Sequence, residues 1–305
     1  MTTGSQSGCL AFAADIHGHT LALPFPFSFF LMFSLSASSC FLSLLWFVAA
    51  SPAQRPFQTD HGSEHEDGTL AGWIDPRIGG GRLLDYTTKT RGEPLNVIIA
   101  GTSDPFVLTD EGFAVYVQSI GYAKECMGLH RGHIHLANLG DGDRRKPEAF
   151  LFRQHYRMPG WGTCWESLAG GHHFRAWHQN GTKGDSGAWF LGVSKEEDSS
   201  RQHTISANGY NLGRDWLVEQ ALAGSELWVP QGVLSAETAA HLHPGNPQPE
   251  GWPWPGTGGE RLQWRAEVVW RAGLLEPGRQ GVNHNIAQDG RVAILTVFRV
   301  SSDLD

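Results

Sequence analysis

Basic residues are missing from the start of this chain. All 23 Lys and Arg lie after residue 50, and Asp15 is the one acidic residue before it. The rest of the sequence sets 23 basic against 30 acidic residues, a net charge of −7 with no Lys/Arg-dense run. Gripping a phosphate backbone needs such a run, so nucleic acid is excluded as a partner. Cysteine is scarce as well, four in 305 residues, which rules out a disulfide-dense scaffold. No internal repeat is present, so solenoids and propellers are set aside. A hydrophobic fraction of 40% with 18% charged residues describes a folded globular body.

From Leu21 to Ala50 there is no charged residue, and within that stretch Phe27–Ala50 is dense in Phe and Leu. These 24 residues suffice to cross a bilayer of about 30 Å at about 1.5 Å per residue. Ser28, Ser34, Ser36, Ser38, Ser39 and Ser43 dilute it as an anchor, and Val48-Ala49-Ala50-Ser51-Pro52-Ala53 offers the small residues that signal peptidase selects. Translation from Met32 would give a compact signal peptide, although no basic residue precedes the apolar run. Residues 1–53 therefore read as a signal peptide or a single-pass membrane anchor, with a mispredicted exon as the third option. The first two place the body in the secretory pathway, extracellular or membrane-anchored. Cys126 and Cys164 are the two cysteines of that body and are expected to pair, with two buried thiols as the alternative. Asn180-Gly181-Thr182 is a glycosylation sequon in an expected turn.

Residues 54–81 are polar and acidic and end in three glycines, the composition of a flexible linker. A domain follows over 82–305, with a Pro/Gly-rich insertion at 244–259 that carries Trp252 and Trp254. Leu95–Ala100 reads as a buried strand. Thr109 reads as an N-cap, with Asp110 and Glu111 in the first turn. Phe113, Tyr116, Val117 and Ile120 then keep helical spacing up to Gly121, and a second helix is expected over 214–223. Alternation marks strands at 149–156, 172–178, 188–194, 262–271 and 292–300. This order is no repeating βαβ pattern. It predicts an α+β fold, a mixed or antiparallel sheet with two main helices packed on one face.

Three patterns bear on chemistry. His130, His133 and His135, followed by Asp141, suit a divalent metal, although no helical or strand spacing makes them converge. On a strand, His173, Arg175 and Trp177 share one face, and a titratable imidazole beside a guanidinium makes an anion pocket. The plainer reading pairs Arg175 with a carboxylate such as Asp215. Trp252 and Trp254 are the tryptophans expected at the surface and could form a glycan-binding face. Gly184-Asp185-Ser186-Gly187 imitates a serine-protease nucleophile. The histidine echo at Thr238–His241 follows the serine instead of preceding it, so a polar turn explains these residues better.

The run Pro94–Gly101, the helix ending at Gly121, His172–Trp177, Trp189–Gly192, His203-Thr204-Ile205 and Arg214-Asp215 together resemble the LssY-like C-terminal domain family over about residues 93–224. Bacterial members of that family are often fused to multi-pass membrane modules, DedA-like proteins and type-2 phosphatidic acid phosphatases among them. The resemblance implies a membrane-proximal role near phosphate-bearing lipids. His173, Arg175, His203, Arg214 and Asp215 are the polar positions that match. No Pro-Ser-Gly-His phosphatase signature is present, so that activity does not carry over. Binding of an anionic small molecule or lipid headgroup at those residues is the first expectation. A metal-dependent phosphoester hydrolase using His130, His133, His135 and Asp141 is the second, and glycan binding the third.

Overall fold

A computed structural model describes residues 72–126, 134–158, 161–230 and 259–300. Contacts divide the chain into Met1–His61 and Gly62–Asp305, and every described residue belongs to the second unit. The N-terminal segment, residues 54–71, His130, His133, Trp252 and Trp254 lie outside the described residues.

The fold is α+β. Among the described residues, ten strands run in chain order: β1 Val97–Ile99, β2 Tyr122–Lys124, β3 Leu136–Asn138, β4 Arg145–Pro147, β5 Phe150–Gln154, β6 Gly171–Gly181, β7 Gly184–Glu196, β8 Ser225–Pro230, β9 Gly259–Arg271 and β10 Val292–Val300. The α-helices of the described residues are α1 Asp110–Ser119, α2 Gly162–Ala169 and α3 Gly209–Leu222. Eight strands form one sheet in the order β2-β5-β6-β7-β1-β10-β9-β8, and β3 and β4 form a separate hairpin. Among the described strands of this sheet, β1–β10 is the one parallel pairing, so the sheet is mixed. β1 has a neighbour on each side and is buried on both faces, which explains its unbroken Val-Ile-Ile. The sheet curls: α1 touches β2 and β8, its two edge strands, and Ser119 Oγ meets Ser225 Oγ at 2.8 Å.

Phe113 is the hub of the larger core. Its ring stacks on Trp189 at 4.3 Å and meets Phe150, Phe152 and Phe174 at 5.7, 6.2 and 6.2 Å. The helix that carries it starts where the sequence predicts, with Gly112 N donating to Thr109 Oγ1 at 3.0 Å. Leu217, Val218 and Ala221 of α3 enter the same core, as do Phe174 and Ala176 of β6. A second core with Trp177, Phe190, Ile98 and Ile294 lies under the entering segment, where Trp73 packs edge-on to Phe190 at 6.3 Å.

Several boundaries differ from expectation for physical reasons. Residues 72–81, the end of the expected linker, belong to the fold: Trp73 is buried and Asp75 caps a 3-10 turn over Pro76–Gly79. α3 begins at Gly209 and not near 214, because Gly209 and Gly213 let it approach β7 closely. A Cβ on Gly213 would stand 2.4–2.7 Å from the Ser194 backbone. Gly184–Gly187 is part of β7, and the hairpin turns at Thr182-Lys183 instead. Ser186 Oγ donates to Gln179 Oε1 at 2.5 Å, a strand-to-strand tie. The strands β2, β3, β4 and β8 and the helix α2 are additions to the expected order.

Cys126 and Cys164 form the expected disulfide, tying the end of β2 to α2 across 38 positions. Closing a loop of that size is worth about 2–4 kcal/mol. Cys126→Ser combined with Cys164→Ser is expected to lower the unfolding free energy by about that amount in a denaturant titration. Coincident unfolding curves for variant and wild type would show that the bridge contributes nothing.

Candidate functional site

The site is built on the face of β5, β6 and β7 opposite Phe113. Register places Arg153 beside His173, and His173 beside Ser194. With alternation along β6, this turns Arg153, His173, Arg175, Ser194 and Glu196 to the same side. Segment 82–95 folds over that side as an irregular clasp, in which Leu84 bridges Pro94 and Leu95 N donates to Leu83 O at 2.8 Å.

Asp85 closes the clasp. Its Oδ1 accepts from Thr87 N at 3.1 Å, Thr87 Oγ1 at 2.9 Å and Glu93 N at 2.7 Å. Its Oδ2 meets His135 Nδ1 at 2.7 Å. Glu93 reaches Asn283 Nδ2 at 3.4 Å and His284 Nε2 at 3.9 Å. One ligand atom from each of Asp85, Glu93 and His135 lies within 4.8 Å of the other two, and all three residues are buried. Burial, and next the charge of Asp85, push the Glu93 carboxyl up to about 7. Burial also opposes charge on His135, but the Asp85 hydrogen bond and nearby Glu93 outweigh it and hold the imidazole above its usual range. Glu148 extends the centre: its Oε2 accepts from His135 N at 2.7 Å and its Oε1 pairs with Arg175 Nη1 at 2.5 Å.

A second buried centre surrounds Glu196. His173 Nδ1 stands 3.4 Å from its Oε1, and His203 Nδ1 stands 3.6 Å from its Oε2. Arg153 joins this carboxylate at 2.8 Å, Glu166 at 2.5 Å and Glu125 at 3.3 Å. Burial lifts Glu166 to about 7, against the pull of Arg153. His203 and His284 are held at φ 52° and 54°, left-handed values that cost a non-glycine residue energy. His284 borders the first centre at Glu93. Burial lowers its affinity for a proton, with the charge of Glu196 opposing and that of His135 adding to the effect.

The expected anion pocket is brought together only in part. His173, Arg175 and His203 gather on this face, but Arg175 pairs with Glu148 and not with Asp215. Arg214 turns toward the other half of the sheet. It holds Asp289 through two bonds at 2.6 and 2.9 Å, Asp215 at 2.8 Å and the Arg291 carbonyl at 2.9 Å. Of the four expected metal ligands, His130 and His133 lie outside the described residues. His135 joins Asp85 and Glu93, whereas Asp141 accepts from Lys146 Nζ at 2.6 Å. Asp85, Glu93, Glu148 and Glu196 were not singled out from the sequence, and no spacing marks them: Asp85 and His135 are 50 positions apart. Asn180 is exposed at the end of β6, where its Oδ1 accepts from Lys146.

No family model, curated protein or solved structure matches this chain.

The raised Glu166 carboxyl has a consequence for stability. The folded state keeps this proton between the ordinary value of 4.5 and about 7, while the unfolded state releases it. Its contribution is therefore present at low pH and declines as pH rises through that window. Glu166→Gln is expected to remove this component, so the difference in unfolding free energy between variant and wild type should move in favour of the variant from pH 4.5 to 7. A pH-independent difference would show that Glu166 ionises at its ordinary value in the fold.

Proposed function

We propose that this domain holds a divalent cation at Asp85, Glu93 and His135 and works outside the cytosol. The observation that carries the reading is the convergence of their three ligand atoms within 4.8 Å on a buried face. One imidazole with two carboxylates suits zinc or another first-row ion such as manganese. Three protein ligands leave a coordination position for water, which is the arrangement of hydrolytic sites. In this reading the ion takes the place of the proton shared by Asp85 and His135. The disulfide supports an oxidising compartment, where the exposed Asn180 would also carry a glycan.

Phosphoester hydrolysis is the reaction class we favour for such an ion, and one observation favours it over bare metal storage. Arg175 stands close enough to Glu93 and His135 for its charge to act on both. A phosphate entering there would compete with Glu148 for the guanidinium, since Arg pairs with either in the same forked geometry. Binding of an anion or lipid headgroup without hydrolysis, as the likeness to the LssY-like C-terminal domain family implies, is the second reading and uses the same Arg175 with His173 and His203. Glycan binding rests on Trp252 and Trp254, outside the described residues.

Elemental analysis of the full chain, purified without chelator, is expected to find near-stoichiometric zinc or manganese. Glu93→Gln and His135→Ala should each lose most of it while keeping the wild-type circular dichroism spectrum. A folded, metal-free wild type that takes up neither ion on addition would overturn the proposal.

A further inference from the structure

Helix α2 is amphipathic in the wrong sense. Its buried residues are Gly162, Thr163, Glu166 and Ser167, small or polar, whereas Trp161, Trp165, Leu168 and Ala169 face out. The outer four stand at i, i+4, i+7 and i+8, one continuous stripe. Trp161 is 77% exposed, Trp165 53% and Leu168 50%, and Met158 at 41% extends the stripe before the helix. Folding alone would place those indoles inside.

The inversion is held rigidly. Glu166 is locked to Arg153 at 2.5 Å, Ser167 Oγ donates to Thr163 O at 3.0 Å, and Cys164 is bonded to Cys126. Gly162 lies so close to the His155 carbonyl that no side chain fits there. The buried ion network thus fixes which face of α2 looks inward and leaves the apolar face presented.

We infer that α2 is a membrane-docking face, whose occupant is the interfacial zone of a lipid bilayer. Size argues against a protein partner. The helix has eight residues, about 12 Å at about 1.5 Å each, whereas a stable protein interface takes about 20–30 residues a side. Chemistry argues for lipid. The exposed stripe carries no charge, and tryptophan with leucine and methionine suits the boundary between headgroups and acyl chains. The sequence also carries the 24 uncharged residues Phe27–Ala50, long enough to cross a bilayer. The 21 residues between Ala50 and Gly72 span at most about 80 Å, so a retained segment would tether the domain to that membrane. Docking requires neither the cation nor Arg175 and stands independently of the proposed function.

The test is tryptophan fluorescence of the full chain on zwitterionic phosphatidylcholine vesicles, with and without brominated acyl chains, which quench buried indoles. The wild type is expected to lose emission on brominated vesicles. Trp161→Ser combined with Trp165→Ser should lose most of that bromine-sensitive emission, and any remainder belongs to tryptophans elsewhere in the chain, Trp46, Trp252 and Trp254 among them. Leu168→Asp keeps both indoles and should also reduce the quenching, by putting a charge on the stripe. Each variant is checked for its disulfide on a non-reducing gel. Equal quenching in the wild type and the double variant would overturn the inference. So would an unquenched wild type that self-associates through the stripe and becomes monomeric in the double variant, which would assign the face to a second copy of the chain.

Discussion

Charge taken out of water has to be neutralised where it lies, and on one face of β5, β6 and β7 that demand organises the molecule. Arg153 is completely buried and Arg175 nearly so, in a setting where an unmatched ion costs several kcal/mol. Each is met by carboxylates from distant parts of the chain: Glu125, Glu166 and Glu196 around Arg153, and Glu148 on Arg175. The carboxylates outnumber the arginines. Glu93 and Glu166 respond by holding their protons up to about 7. The result is a buried face rich in carboxylate oxygen and imidazole.

The same constraint explains two features that look unrelated. The clasp over 82–95 is irregular because its backbone is used to tie down Asp85, through Thr87 and Glu93, and not to form a strand or helix. Helix α2 turns polar residues inward because Glu166 has to reach Arg153, and this sends Trp161 and Trp165 outward. The opposite face of the sheet has no such demand. There Phe113, Trp189 and Phe174 pack as an ordinary aromatic core under α1, which supplies stability without limiting the chemistry.

How much of this was legible in the sequence follows from what each element depends on. The helix over Phe113 and the strands at 262–271 and 292–300 obey local periodicity, so they could be read directly. The disulfide could be read because the body offers only two cysteines. Helix α2 escaped because its apolar positions face solvent, and the start of α3 because Gly209 and Gly213 weaken the helical pattern for the sake of contact with β7. The site was half legible. His173 and Arg175 do share a strand face, and His135 does belong to a candidate metal centre. Their partners Asp85, Glu93, Glu148 and Glu196 come from other strands and loops, and no local spacing records such pairings. Asp141, close to His135 in sequence, pairs with Lys146 instead.

Crystals of the full chain soaked in zinc or manganese and measured at the metal's absorption edge test the central claim most directly. The account predicts an anomalous peak at about 2.0–2.2 Å from one atom each of Asp85, Glu93 and His135, with the Asp85–His135 hydrogen bond broken. A peak on other residues, or none while that hydrogen bond persists, would contradict it.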